Sequence, residues 1–297
     1  MYFESYAKTH DLTDRRGRVY DRDAFWYALR QHHLYLKQKN CGRLTIPGRR
    51  LVTKTFFRDT IKPCMQHLFS ALRAMRPDVI RWEDRKEGPL AQWNHIDWFP
   101  FTHTNIPDGF PMPVWCPKHW TLDVAEGRLP RDVRDDAIER RLLHSGKYNT
   151  SCFKGHLTIA LNGLILGYTG PHLGVDHDMR IWDTTQGELR MDPGEWGFGD
   201  LAYEGAARMT VGIKSPSTAA DEIWTNFVAW VRSRVEIVIA LLKSHGWCQT
   251  TFRGRYDTLL VYQEIAVVMT ALRIRRNLGK GKCMFDVSGP WAHKFSP

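Results

Sequence analysis

Asn162 and Gly163 lie between two runs of alternating apolar residues, 156–161 and 164–168. Asn-Gly is favoured in tight hairpin turns because both residues tolerate positive φ. Alternating runs on both sides of such a pair are typical of an antiparallel β-hairpin. A lone hairpin is barely stable in water, so the remainder of the chain must extend it into a covered sheet.

Helical and strand patterns alternate after this hairpin. Residues 219–244 have the longest helical periodicity, and Asp221 and Glu222 favour its N-terminal dipole. Gly246 offers a stop for this helix. The other predicted elements are a helix at 256–275, a short helix at 176–184, and strands at 198–202 and 208–214. Strands interleaved with helices predict an α/β layer architecture.

The first part of the chain is predicted to be helical. Apolar residues recur at helical spacing over 20–40 and 51–77, and the polar stretch 82–93 follows as a connector. We therefore expect a small helical N-terminal region, 1–95, ahead of an α/β domain at 96–290.

Two intervening segments depart from regular patterns. Residues 106–115, IPDGFPMPVW, are rich in proline, which lacks the N–H that a central strand donates, so this segment fits only an edge or bulged strand. Residues 125–150 are dense in charge and are predicted to form an exposed insertion.

The overall charge indicates a polyanionic partner. The chain has 42 Lys and Arg against 32 Asp and Glu, a formal charge of +10, and a basic surface supplies the salt-dependent part of nucleic-acid affinity. Its six cysteines include no C-x-x-C pair, which argues against a zinc ribbon and against a secreted disulfide framework. No apolar signal core or membrane-length segment is evident. We expect an intracellular protein that is neither secreted nor membrane-bound.

Two acidic residues have the placement of metal ligands. Asp200 lies in GFGDLAY, where a predicted strand ends, and Glu236 lies among apolar residues on the longest predicted helix. Carboxylates from distant segments form cages for hard divalent cations, and paired ions can clamp both oxygens of a phosphoryl transfer. The structural alternatives are an Asp200 turn bond and a helical salt bridge between Arg232 and Glu236.

Three motifs around these residues resemble the core of PIF/Harbinger-type DDE transposases and the endonuclease-like proteins derived from them. They are Gly-Pro-His-x-Gly-x-x-His-Asp at 170–178, Gly-Asp-x-x-Tyr at 199–203 and Val-Glu-x-x-x-x-x-Leu-Lys at 235–243. Their order agrees with the family, and the resemblance covers roughly residues 96–276. It implies a ribonuclease-H-like mixed sheet flanked by helices, and metal-dependent cleavage of DNA phosphodiesters.

The same resemblance implies the components of the reaction. Asp200, Glu236 and a third carboxylate would hold Mg²⁺ or Mn²⁺, which activates water or a DNA 3′-hydroxyl and stabilises the departing oxygen. The implied compartment is the nucleus, and the implied partners are DNA and a separate DNA-binding protein.

The third carboxylate is open among three aspartates. Residues 106–111, IPDGFP, give the best match to the Val-Asp-Gly-Thr-like family motif and place Asp108 at the ligand position, although proline and phenylalanine replace the flanking valine and threonine. Asp123 in TLDV has better strand character but no following glycine, and Asp97 in HIDWF is a weaker match. We favour Asp108.

Further residues are candidates for supporting roles. His177 and Asp178 match the family's His-Asp pair; Asp178 is either an additional ligand or a brace for the short helix. Basic side chains near the motifs are candidate phosphate contacts. They are Lys154, Arg180, Arg232 and Lys243. The basic run 273–282 is either a nucleic-acid patch or solvated helix-end charge.

Two other functions fit parts of the pattern. A domesticated derivative that binds DNA or a protein, and no longer cuts, accounts for the imperfect motif at 106–111 and for the lack of a clear helix-turn-helix. A structural or interaction protein would show neither converging carboxylates nor a basic groove.

Overall fold

The computed structural model describes residues 62–96, 99, 102–114, 141–185, 187–249, 251–252 and 256–285. Several predictions fall outside these ranges: the helix at 20–40, Asp97, Asp123 and most of the segment 125–150.

The described residues contain one mixed sheet of six strands. The strands are β1 (His103–Pro113), β2 (His144–Ser145), β3 (Thr150–Ala160), β4 (Ile165–Leu173), β5 (Trp196–Phe198) and β6 (Met209–Thr210). Their order is β2-β3-β1-β5-β6, and β4 also pairs with β3. β3 is antiparallel to β1 and β4, whereas β5 is parallel to β1 and β6. This sheet confirms the predicted mixed α/β architecture and is consistent with a ribonuclease-H-like fold.

The predicted hairpin is formed by β3 and β4. Its loop has three residues, because the N–H of Ala160 donates to the carbonyl of Leu164 at 2.8 Å. Gly163 has φ +89°, and the Oδ1 of Asn162 accepts the N–H of Leu164 at 3.0 Å. A turn followed by a glycine of positive φ is a common three-residue hairpin connection.

β1 tolerates its prolines because they lie where the strand donates no hydrogen bond to β3. The N–H of Val114 donates to the carbonyl of Ser151 on β3, so even-numbered residues of β1 direct their N–H groups to that strand. Pro107, Pro111 and Pro113 are odd-numbered, and β5 pairs with β1 only over residues 103–105. Among the described strands, β1 is paired on one side only from residue 106 to residue 113, which agrees with the predicted edge character.

Five helices flank the sheet in the described part of the chain. They are α1 (Lys62–Val79), α2 (Asp178–Thr184), α3 (Ala219–Lys243), α4 (Gly246–Gln249) and α5 (Tyr256–Leu278). A capping box between Thr218 and Asp221 begins α3, satisfying N–H groups that the first turn leaves free. The helix ends at Lys243, and Gly246 begins α4 instead of stopping α3.

α3 and α2 are close to opposite faces of the sheet. On the α3 side, Phe227, Val231 and Val235 join the main core with Ile106 and Phe110 of β1. On the other side, a smaller core packs against α2; its buried members are Trp182, Met191, Tyr203 and Met209. Since neighbouring residues of a strand point to opposite faces, β1 directs Asp108 towards α3 and Gly109 towards α2.

The segment 62–96 packs onto the sheet and α5 through ion pairs. Arg76 pairs with Glu264 of α5 at 2.9 Å, and Arg85 pairs with the fully buried side chain of Glu195. Arg85 belongs to the predicted connector at 82–93, where it is 5% exposed. The proposed division at residue 95 stays a prediction.

Candidate metal centre

Asp108 lies in the middle of β1 and is 7% exposed. Its Oδ1 accepts the N–H of Gly109 at 2.8 Å, which fixes the carboxylate against its own backbone. Burial raises the pKa of Asp108 from 3.8 to about 6; Arg232 opposes this shift, and Asp200 and Asp178 add to it. Arg232 and Lys147 thus offset only part of the effect of burial on the pKa of this carboxylate.

Asp200 lies one residue beyond Gly199, at the carboxyl end of β5. Its Oδ1 accepts the N–H of Ala202 at 2.9 Å, so it caps a short 3-10 turn, Leu201–Tyr203. This is the turn bond that the sequence offered as an alternative to a ligand role. The two are compatible, because the other oxygen, Oδ2, points to Lys147 and Arg232 at 3.5 Å and 3.8 Å.

Tyr203, the tyrosine of the Gly-Asp-x-x-Tyr motif, makes a buried contact near the carboxylates. Its hydroxyl lies 2.8 Å from Nε2 of His156, and both side chains are buried below the carboxylates. Burial lowers the pKa of His156 to about 4, so the imidazole is neutral at pH 7. This pair ties the turn after Asp200 to β3, which lies on the far side of β1.

Asp178 approaches the site from the other face of the sheet, as the first residue of α2, and is 3% exposed. A Cβ atom on Gly109 would lie 2.8 Å from its Cγ, so only glycine at that position lets the carboxylate come so close to β1. The side chain that caps α2 is His177, which accepts the N–H of Met179 at 3.4 Å. Asp178 therefore does not brace α2 as its N-cap.

Asp108, Asp178 and Asp200 form a group among the described residues in which one carboxylate oxygen from each lies within 4.8 Å of the others. Within the described part of the chain, the buried Oδ1 of Asp178 has no hydrogen-bond partner. The ammonium of Lys154 lies 3.7 Å from this oxygen, beyond hydrogen-bond distance, and a buried carboxylate oxygen that accepts no hydrogen bond is costly.

The donor set fits a hard divalent cation. Three carboxylates converge, and carboxylate oxygen is the ligand type that Mg²⁺ and Mn²⁺ prefer. Burial raises the pKa of Asp108 although Arg232 lies beside it, and Oδ1 of Asp178 accepts no hydrogen bond among the described residues, so both carboxylates can accept a further cation.

Arg232 supplies positive charge from α3, on the face of the sheet opposite to α2. Its guanidinium lies 3.7 Å from Oδ2 of Asp108 and 3.8 Å from Oδ2 of Asp200. The sequence allowed this arginine to pair with Glu236 along the helix. In the structure, Arg232 forms ion pairs with Asp108 and Asp200.

Lys147 was not identified from the sequence. It lies in the turn 146–149 between β2 and β3, and its ammonium is 3.3 Å from Asp178 Oδ2 and 3.5 Å from Asp200 Oδ2. Burial lowers the pKa of Lys147, but Asp178, Tyr148 and Asp200 outweigh this effect, so the net shift is upward. The turn belongs to the segment that the sequence predicted to be an exposed insertion, and Gly146, Lys147 and Asn149 are indeed exposed.

Glu236 is exposed on α3 and lies outside the group of three aspartates. At about 100° per residue, it points about 40° away from Arg232 around the helix, and Lys243 points about 20° away. Burial lowers the pKa of Lys243, and Cys248 and then Asp108 partly offset this effect, so Lys243 lies within electrostatic range of Asp108. Along one side of α3, Glu236 thus lies between Arg232, which pairs with Asp108, and Lys243.

The other candidate phosphate contacts have different positions. Lys154 is buried, and its ammonium donates to the carbonyl of Asp176 at 2.5 Å and lies 3.7 Å from Asp178. That placement supports the loop before α2 and leaves no exposed ammonium for a phosphate. Arg180 is 76% exposed, with Asp176 at 4.0 Å.

The basic run at 273–282 has a mixed placement. Arg275 pairs with Asp84 and donates to the carbonyl of Val79, so it holds α5 against the segment 62–96. Other members are exposed at the end of α5; they are Arg273, Arg276, Lys280 and Lys282.

Comparisons with known proteins add an independent finding. No curated protein and no solved structure gave a significant match. A family model described as DDE superfamily endonuclease matches residues 128–273, just under half of the chain. That span begins after Asp108. It includes Asp178 and Asp200, two of the three clustered aspartates, and also Glu236.

Proposed function

We propose that this protein is a divalent-metal-dependent DNA endonuclease or transposase of the DDE type. The observation that carries the proposal is the convergence of Asp108, Asp178 and Asp200 to within 4.8 Å, from three separate elements of the sheet and its helices. The match to DDE superfamily endonucleases over 128–273 supports the same class.

The overall reaction is hydrolysis of a phosphodiester. A water oxygen bonds to phosphorus, the bond from phosphorus to one sugar oxygen breaks, and the water proton ends on that departing oxygen. A divalent cation at the site, Mg²⁺ or Mn²⁺, would supply activation of the water and stabilisation of the leaving oxygen. If a DNA 3′-hydroxyl attacks in place of water, the same balance gives strand transfer.

The residues of the site have two proposed roles: some would bind the cation, and others would position those ligands. Asp108 and Asp200 would hold the cation between β1 and β5, with Arg232 beside both. Asp178 and Glu236 are the two candidates for the remaining carboxylate. Asp178 already lies beside the other two aspartates, whereas Glu236 matches the family motif and lies about one helical turn from Arg232.

The positive charge of the chain supports a nucleic-acid substrate. Its +10 formal charge supplies non-specific attraction to the DNA backbone. Arg180 and Lys243 are the proposed phosphate contacts beside the cation site, and Lys154 is reassigned to positioning Asp178. The PIF/Harbinger type, a nuclear location and a separate DNA-binding partner remain part of this proposal and rest on the motifs at 170–178, 199–203 and 235–243.

A plasmid-nicking assay with Mg²⁺ or Mn²⁺ tests the proposal. Asp200→Ala and Asp108→Ala are expected to reduce nicking at least about 100-fold, because each removes a carboxylate from the cation site. Asp183→Ala, an exposed aspartate of α2, is the matched control and should nick like wild type. Nicking that is equally strong in EDTA, or unaffected by Asp200→Ala, would sink the proposal.

The same assay decides the third ligand. If Glu236 completes the site, Glu236→Ala abolishes nicking and weakens Mn²⁺ binding, while Asp178→Ala reduces both less. If Asp178 is the ligand, the order reverses. A calorimetric titration with Mn²⁺ alone compares the Mn²⁺ affinities of the two variants without DNA.

A binding-only derivative is the second candidate function. The observation that favours it is the exposed, unassembled position of Glu236. Such a protein would bind DNA with strong salt dependence and show no nicking at any Mg²⁺ or Mn²⁺ concentration.

A further inference from the structure

Lys147 is the residue that the proposed function does not use and that lies closest to its carboxylates. Its ammonium is 3.3 Å from Asp178 and 3.5 Å from Asp200, two of the three members of the cation site. An ammonium is a compact cation, so in this state Lys147 joins Lys154 and Arg232 in placing positive charge beside the three carboxylates.

Lys147 is placed so that its side chain can leave while its backbone stays. The side chain is 46% exposed, and it lies in a turn where Gly146 has open space around it. The next residue, Tyr148, anchors that turn to β1, because its hydroxyl donates to the carbonyl of Gly109 at 3.1 Å. Rotation about the lysine side-chain bonds therefore moves the ammonium into solvent without moving the turn.

The other buried lysine beside the site differs in this respect. The Lys154 side chain is 6% exposed, and its ammonium donates to the carbonyl of Asp176 at 2.5 Å. Its removal from the loop would leave the partly buried carbonyl of Asp176 without this hydrogen bond. Lys154 is fixed, and Lys147 is exchangeable.

We propose that Lys147 is an exchangeable counter-ion that becomes a phosphate-binding residue. Without a divalent cation it neutralises Asp178 and Asp200. Once those carboxylates are neutralised by a divalent cation, the ammonium is repelled and moves to the non-bridging oxygens of the DNA phosphate held beside it. This inference rests on the proposed function and adds a residue that competes with the cation and then contacts the substrate.

The test compares Lys147→Met, Lys147→Arg and the exposed control Lys214→Met in the full chain. Thermal unfolding is recorded during titration with Mn²⁺ alone, and plasmid nicking is measured at saturating Mn²⁺. We expect Lys147→Met to reach half-saturation at about tenfold lower Mn²⁺, since the competing charge is gone. Its nicking should fall on the order of 10- to 100-fold, with partial recovery in Lys147→Arg.

The two measurements separate the possible failures. Half-saturation at unchanged or higher Mn²⁺ in Lys147→Met, or full nicking at saturating Mn²⁺, overturns the role of Lys147 while leaving the endonuclease intact. A wild-type protein that neither gains stability from Mn²⁺ nor nicks overturns the proposed function, and this inference with it. If wild type gains stability from Mn²⁺ but does not nick, the titration alone decides the exchange.

Discussion

Replacement of Asp108 by asparagine should stabilise the metal-free protein. The carboxylate is buried and its pKa is raised from 3.8 to about 6, so the folded state disfavours the charged form. The attraction to Arg232 and the repulsion from Asp200 are already contained in that shift. Asparagine is close in shape and its amide oxygen can still accept the N–H of Gly109.

The magnitude follows from the size of the pKa shift. A shift of about 2 units corresponds to about 3 kcal/mol at pH 7.5, where the carboxyl is ionised in both states. Because the folded pKa is raised, the penalty is complete above about pH 6 and disappears as the pH falls below 3.8. The gain in Asp108→Asn should therefore fall below about 1 kcal/mol at pH 4.

Urea unfolding in EDTA at pH 7.5 and pH 4 measures this difference. Asp183→Asn, which replaces an exposed aspartate of α2, should stay within about 0.5 kcal/mol of wild type at both pH values. Saturating Mn²⁺ should stabilise wild type and not Asp108→Asn, reversing their order. A variant no more stable than wild type at pH 7.5, or a gain that persists unchanged at pH 4, refutes the reasoning.

Three further perturbations have defined outcomes. Gly109→Ala should displace Asp178 and weaken Mn²⁺-dependent stabilisation about tenfold or more, whereas Gly146→Ala, with open space around it, should leave Mn²⁺ titrations unchanged. Nicking should decline as the pH falls through about 6, because protonated Asp108 no longer attracts the cation; pH–rate profiles at two Mn²⁺ concentrations should show the midpoint moving to lower pH at the higher one. Glu195→Gln should destabilise the fold by about 3 kcal/mol in urea unfolding, because its arginine partner stays buried, while the Mn²⁺ midpoint is unchanged.

Local patterns were sufficient for the elements that position the site. The alternation around Asn162-Gly163 predicted the β3–β4 hairpin, and the periodicity of 219–244 predicted α3 almost to the residue. The Gly-Asp-x-x-Tyr motif placed Asp200 at a strand end, because short-range turn chemistry determines that position. The choice of Asp108 over its rivals came from its neighbouring glycine, whose close contact with Asp178 shows why the glycine is needed.

Contacts across the fold were beyond the reach of those patterns. Lys147 occurs in a charge-dense segment, and nothing local distinguishes it from a solvated lysine; only the pairing of β2 with β3 brings its turn to the carboxylates. The orientation of α3 also could not be predicted from local patterns. Helical spacing puts Arg232 and Glu236 on one side, but the position of β1 beneath the helix decides which of them reaches Asp108.

The unfavourable features of the site argue for an endonuclease over a binding-only derivative. Asp108 is buried with a raised pKa, and within the described residues Oδ1 of Asp178 has no hydrogen-bond partner. Attraction to DNA needs neither group, since basic side chains supply it. A neutral side chain at position 108 would remove a cost of about 3 kcal/mol for burying the charge, which is a large fraction of the stability of an ordinary domain. Two such costs at one point are understandable if a divalent cation offsets both, because its charge lowers the pKa of Asp108 and its coordination satisfies Asp178.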